Sequence, residues 1–100
     1  MYLSPVGVDS LDDSVLNSLE QSRYSEFVVH KTGHGLGLDV HEDPYVMRGN
    51  EEKLEEGMVI TIEPGLYNSK SLGVRIEDDV HIILGKPEIL TSFTKKLTII

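Results

Sequence analysis

Residues 30–44 read HKTGHGLGLDVHEDP, and the rest of the chain is best understood outward from them. Three histidines, His30, His34 and His41, are spaced among three glycines, Gly33, Gly35 and Gly37. Histidine is the side chain suited to proton transfer near neutral pH and the commonest metal ligand. Glycine lets a backbone or a ligand approach closely. Together they suggest a built site rather than a packed core.

On the C-terminal side, residues 58–62, MVITI, give the strongest strand signal, being β-branched and almost wholly apolar. They run into Glu63-Pro64-Gly65, a turn signature. Residues 67–73 read as a loop. Residues 74–84 read as one strand, with Val74, Ile76, Val80 and Ile82 on one face and Arg75, Glu77, Asp79 and His81 on the other. Within the opening stretch, Leu36, Leu38 and Val40 alternate and predict a strand from about Gly35, closed by Asp43-Pro44. Residues 45–50 then form a loop, 51–56 a single helical turn ended by Gly57, and 97–100 a β-prone end.

On the N-terminal side, residues 1–7 are an extended lead-in. Val8, Leu11, Val15, Leu19 and Tyr24 recur at helical spacing and predict a helix over about 10–23. Asp9 or Ser10 would cap it, with Asp13 completing a capping box, and Asp12, Asp13, Asn17 and Glu20 would face water. Residues 27–30 are a short β-prone run. The expected architecture is α+β: one helix against a mainly antiparallel sheet.

A chain of 100 residues is one small domain or part of a larger one. Its net charge of −8 opposes a general affinity for nucleic acid or anionic membrane. With no cysteine, disulfides and thiolate metal sites are excluded. No apolar run reaches membrane-spanning length. No signal peptide is evident, so the cytoplasm is the expected location.

Glu63, at the end of an apolar strand, would be partly buried and in need of a cation, a donor or a metal. If its strand pairs with that of Glu77, the two carboxylates face each other and repel unless a proton or metal intervenes. Adding His34 gives one nitrogen and two carboxylate ligands, a set that suits Mn, Fe, Co or Zn. The alternative is ordinary: Glu77 pairs with Arg75, Glu63 caps a turn, and the histidines make routine hydrogen bonds.

Several motifs occur in order: Thr32-Gly33-His34-Gly35-Leu36-Gly37, Asp39-Val40-His41-Glu42-Asp43-Pro44, Glu56-Gly57-Met58, Ile62-Glu63-Pro64-Gly65-Leu66-Tyr67, Arg75-Ile76-Glu77-Asp78-Asp79 and Leu90-Thr91. In them, from about Val8 onward, the chain resembles the catalytic domain of Xaa-Pro dipeptidases (prolidases), aminopeptidase P and methionine aminopeptidases, the pita-bread metallopeptidases. The close spacing of Glu63 and Glu77 resembles the prolidase branch. The resemblance implies that His34 and Glu63 ligate one metal and that Glu77 bridges two. It implies that Glu63 shuttles a proton, that His41 contacts the substrate or the developing oxyanion, and that His30 lines the pocket. Arg75 would steady Glu77 or the substrate. The substrate implied is a peptide, cut near its N-terminus by a metal-activated water.

The family's remaining ligands are two aspartates upstream of the histidine motif, the second followed by Thr-Arg or similar. Asp9, Asp12, Asp13, Asp39 and Asp43 have the wrong spacing and neighbours for that role. Residues 1–100 are therefore expected to be the C-terminal half of one pita-bread domain. The chain alone would hold at most one ion and have little or no peptidase activity. It would expose apolar surface, and so self-associate or pair with a missing N-terminal half. A non-catalytic pita-bread module that binds proteins is the alternative function.

Overall fold

The computed structural model describes residues 7–28, 31–83 and 86–100, with Asp9 and Lys86 in backbone only. The helix α1 spans Val8–Glu20. It starts earlier than its sequence suggests because Gly7, not an Asp or Ser side chain, stands at the N-cap. The Val8 N–H is met by the Glu52 carbonyl at 2.8 Å, so tertiary pairing replaces a cap. Asp13 completes no capping box; it accepts from Arg48 at 3.0 Å. The helix stops before residue 23 because the Ser22 hydroxyl donates to the Leu19 carbonyl at 2.6 Å and turns the chain. Tyr24 lies beyond the helix and is exposed. The buried stripe includes Val8, Asp12 and Leu16, with Leu11, Val15 and Leu19 beside them. Asp12, expected to face water, is fully buried.

Residues 25–27 form a 3₁₀ turn, and Val28 bridges Leu66, so the β-prone run at 27–30 makes no regular strand up to Val28. Among the described residues seven strands follow: β1 Lys31–Gly35, β2 Glu42–Met47, β3 Val59–Ile62, β4 Gly65–Tyr67, β5 Gly73–Arg75, β6 Asp78–Ile83 and β7 Lys86–Ile89. Five make one antiparallel sheet in the order β2-β1-β3-β6-β7, and β4 and β5 pair separately. The core lies between α1 and the large sheet, where Val8, Val46 and Ile60 meet and Leu11, Leu54, Ile62, Val80 and Ile82 pack on them.

The strand over 58–62 is found, but the alternation through 36–40 is not a strand. Leu38 and Val40 project into solvent, and the Glu42 carboxylate accepts the Asp39 N–H at 3.3 Å, folding this segment into a loop. The strand falls earlier, at β1, and residues 42–47 form β2 instead of a loop. Pro44 is tolerated there because β2 is an edge strand, where a missing N–H breaks no second ladder. Residues 51–56 make no helical turn. Lys53 bridges Gly7, and Gly57, at φ +93°, turns the chain and donates to the Ile82 carbonyl at 2.7 Å. The long strand over 74–84 is divided at Ile76-Glu77, where the chain leaves β4 as partner and takes up β3. Residues 97–100 join no sheet.

Candidate metal and substrate pocket

Two strand breaks make the pocket. The last pair of the β3–β6 ladder is Ile62 with Asp78. Glu63 and Glu77 are the next residues out on each side, where both strands change partner. Each carboxylate is thus presented at the end of a rigid ladder rather than within it.

His34 comes from β1, a strand that strict alternation does not describe. Its register slips between Lys31 and Gly33 and again between His34 and Gly35, and everything from Thr32 to Gly35 is buried. Gly33 is required here by close approach, since a Cβ on it would lie 1.8 Å from the Thr61 carbonyl oxygen. The Thr61 hydroxyl accepts the His34 N–H at 3.1 Å, and the Glu63 N–H donates to the Thr32 carbonyl at 2.6 Å. These contacts fix where His34 and Glu63 stand relative to each other.

The His34 ring is 5% exposed as part of its residue, and its Nε2 lies 3.3 Å from Glu63 Oε2. Its Nδ1 is 2.8 Å from the Gly35 carbonyl oxygen. A carbonyl only accepts, so Nδ1 carries a proton. Nε2 then either carries a second proton or turns a lone pair toward a carboxylate. Two acceptors aimed at one point need a cation between them. A backbone carbonyl holding the far ring nitrogen is the usual support of a metal-binding histidine.

A cavity of about 460 Å³ opens beside this pair and is lined by His34, His41, Glu63, Arg75, Glu77 and Asp79, with the 36–40 loop at its rim. A smaller depression of about 130 Å³ shares His34, His41, Glu63 and Arg75 and adds Lys31 and Tyr67. The His41 ring sits 4.3 Å from that of His34, centroid to centroid, tilted by 47°. Partial loss of hydration pushes the Glu77 pKa up, and the charges of Glu63 and Asp79 add to the shift. Arg75 and His34 oppose it. A cation in this cavity would relieve the same repulsion.

Of the residues singled out in sequence, His34, His41, Glu63, Arg75 and Glu77 line one cavity. His30 lies outside the described residues. Glu77 does not close a three-ligand cluster with His34 and Glu63, and no such cluster occurs among the described residues. The pair that is in contact fits a borderline divalent ion, with one imidazole nitrogen and one carboxylate. Thr61, Thr32 and Asp79 were not anticipated. The signal for Thr61 was a lone polar residue in the apolar run VITI.

The family model for metallopeptidase family M24 matches residues 4–83. The Xaa-Pro dipeptidase of Pyrococcus horikoshii is 46% identical over 87 residues, covering 87% of this chain and 25% of that protein. The prolidase structure from Thermococcus sibiricus superposes with a TM-score of 0.89 at 42% identity, over 96% of this chain and 26% of that one. The Xaa-Pro dipeptidase structure from Bacillus anthracis gives a TM-score of 0.91 at 35% identity, over 97% and 27%. The chain therefore spans about a quarter of the length of the relatives it matches. Its helix and antiparallel sheet are an α+β portion of the pita-bread architecture. Among the described residues, no helix is long and apolar enough to cross a membrane.

Proposed function

The chain belongs to metallopeptidase family M24, and from that membership and the pocket we propose that it is part of a metal-dependent exopeptidase of the Xaa-Pro dipeptidase and aminopeptidase type. Its substrate is a peptide, hydrolysed near the N-terminus, and its working compartment is the cytoplasm. Residues 1–100 form the C-terminal part of the catalytic domain. The observation that carries this reading is the 3.3 Å approach of His34 Nε2 to Glu63 Oε2, with Nδ1 committed to the Gly35 carbonyl.

In this reading His34 and Glu63 would hold one divalent ion, and Glu77 would help hold the pair of ions of the complete enzyme. Mn, Co, Zn and Fe all suit such donors. A bound divalent ion supplies a water acidic enough to deprotonate near neutral pH and polarises the scissile carbonyl. Glu63 accepts the water proton on its carboxylate and passes it to the leaving amine nitrogen. His41, at the rim of the cavity, donates a hydrogen bond where negative charge develops on the carbonyl oxygen. Arg75 holds Glu77 or a substrate carboxylate, and His30 belongs to the same substrate pocket.

Calorimetric titration of Mn or Co into the chain tests this. Weak, saturable binding of one ion is expected, lost in His34→Ala and in Glu63→Ala. In the complete enzyme either change is expected to abolish metal-dependent hydrolysis. Undiminished hydrolysis would overturn the assignment.

One observation favours a second reading, a non-catalytic module that binds proteins: His34, Glu63 and Glu77 do not close a ligand cluster. The absence of ion binding, even with an upstream half supplied, would select it. The chain alone is proposed to be inactive and to self-associate or pair with an upstream half. The exposed Phe93, Leu97, Ile99 and Ile100 support association. A clean monomer in sedimentation would count against it.

A further inference from the structure

Asp12 occupies the position on α1 where the apolar stripe calls for a large hydrophobic residue. It lies four residues from both Val8 and Leu16, and all three are buried. An aspartate there is costly unless something repays it. One oxygen is used: the Thr32 hydroxyl donates to Asp12 Oδ1 at 2.6 Å. The other, Oδ2, has no partner among the described residues.

Thr32 is also the residue whose carbonyl takes the Glu63 N–H at 2.6 Å. Two positions along the same strand, His34 is fixed through its own N–H to Thr61. Ladder pairing between β1 and β3 is confined to Gly35 with Ile60, so regular pairing does not hold this end of β1 against β3. From the helix, Asp12 supplies a side-chain hydrogen bond to this end of β1.

We propose that Asp12 is a positioning residue of the pocket: through the Thr32 hydroxyl it anchors the end of β1 to α1 and so sets His34 against Glu63. The proposal rests on the metal-site reading for its purpose, but the geometry it describes can be measured without a metal. A merely structural aspartate would stabilise the fold and leave the His34 imidazole unchanged. A positioning aspartate holds the ring where Nδ1 meets the Gly35 carbonyl and Nε2 meets Glu63.

The test is ¹⁵N NMR of the His34 ring nitrogens in the full chain, without added metal. Thr32→Val removes the hydroxyl at nearly constant shape, Thr32→Ser restores it, and Asp12→Asn keeps an acceptor oxygen. The expected result is a displaced or broadened pair of His34 resonances in Thr32→Val, parent-like resonances in Thr32→Ser, and a smaller displacement in Asp12→Asn. If Thr32→Val does not fold, Asp12→Asn against Thr32→Ser decides: displacement in the first alone supports the proposal. His34 resonances coincident with the parent in every folded variant would overturn it. A second arm titrates Zn. Where the parent binds, Thr32→Val is expected to bind about tenfold more weakly, the lower end of what outer-shell losses cost. Failure of the parent to bind Zn would count against the metal-site reading, while the metal-free resonances still decide the role of Asp12.

Discussion

The two sides of β3 are built differently. Toward β6 it makes a regular ladder, Val59 with His81, Ile60 with Val80, Thr61 with Asp79 and Ile62 with Asp78. Toward β1 there is a single ladder pair, supplemented by backbone bonds from Leu36 to Val59 and from Glu63 to Thr32, a threonine hydroxyl and the close approach of Gly33. The ladder side carries apolar residues into the core. The irregular side carries His34 to Glu63. Regular pairing repeats every two residues and cannot aim neighbouring side chains at one point. Irregular pairing can, and it depends on single atoms rather than on many equivalent contacts.

The contrast predicts different responses to substitution. The largest loss is expected in the apolar core, to which β3 contributes Ile60. Ile60→Ala opens a cavity in the core and should cost about 4 kcal/mol in urea unfolding. If the two sides are distinct, the His34 ring resonances of the folded fraction stay near the parent's. Next comes Gly33→Ala. Its methyl meets the Thr61 backbone carbonyl, so β1 and β3 must separate, at about 3 kcal/mol and with displaced His34 resonances. Gly49→Ala is the control: its surroundings are open and only its φ of +88° is strained, so about 1 kcal/mol is expected with no effect on His34. Equal effects at Gly33 and Gly49 would erase the distinction. Thr61→Val leaves the buried His34 N–H without its acceptor, and about 1–2 kcal/mol is expected from thermal unfolding.

The smallest effect lies at the start of β6. Hydrogen bonds from the Thr91 hydroxyl and then from Lys95 hold the Asp78 pKa below the ordinary carboxylate range. The folded state thus binds this proton less readily than the unfolded chain. The stabilisation is fully present above the ordinary aspartate pKa and is lost as pH falls through the depressed folded value. Thr91→Val should narrow that gap and move the acid-unfolding midpoint to slightly higher pH. An unchanged midpoint would remove Thr91 from the account.

The same contrast explains what could be read from the sequence. The run MVITI and the alternation of Val80 and Ile82 gave β3 and β6, because a ladder writes its two-residue period into the chain. Period misled at 36–40, where Leu38 and Val40 alternate but face solvent on a loop. Pro44 obscured β2, since its tolerance depends on an edge position that only the sheet order reveals. His34, Glu63 and Glu77 stand out by residue type and by family motif, and with His41 and Arg75 they line one cavity. In sequence Asp12 looks like part of a solvated face because α1 also carries Asp13 and Glu20. Nothing local separates a buried aspartate from an exposed one until its partner, Thr32, is brought across from β1. The supporting threonines were missed for the same reason, since a hydroxyl bond has no period.

The most direct test of the central claim is a Zn titration followed at the two ring nitrogens of His34. If Nε2 faces a cation site shared with Glu63 while Nδ1 is held by the Gly35 carbonyl, Zn should shift the Nε2 resonance and leave Nδ1 protonated, and Glu63→Ala should weaken the response. A His34 ring that ignores saturating Zn, or one that binds it through Nδ1, would contradict the account.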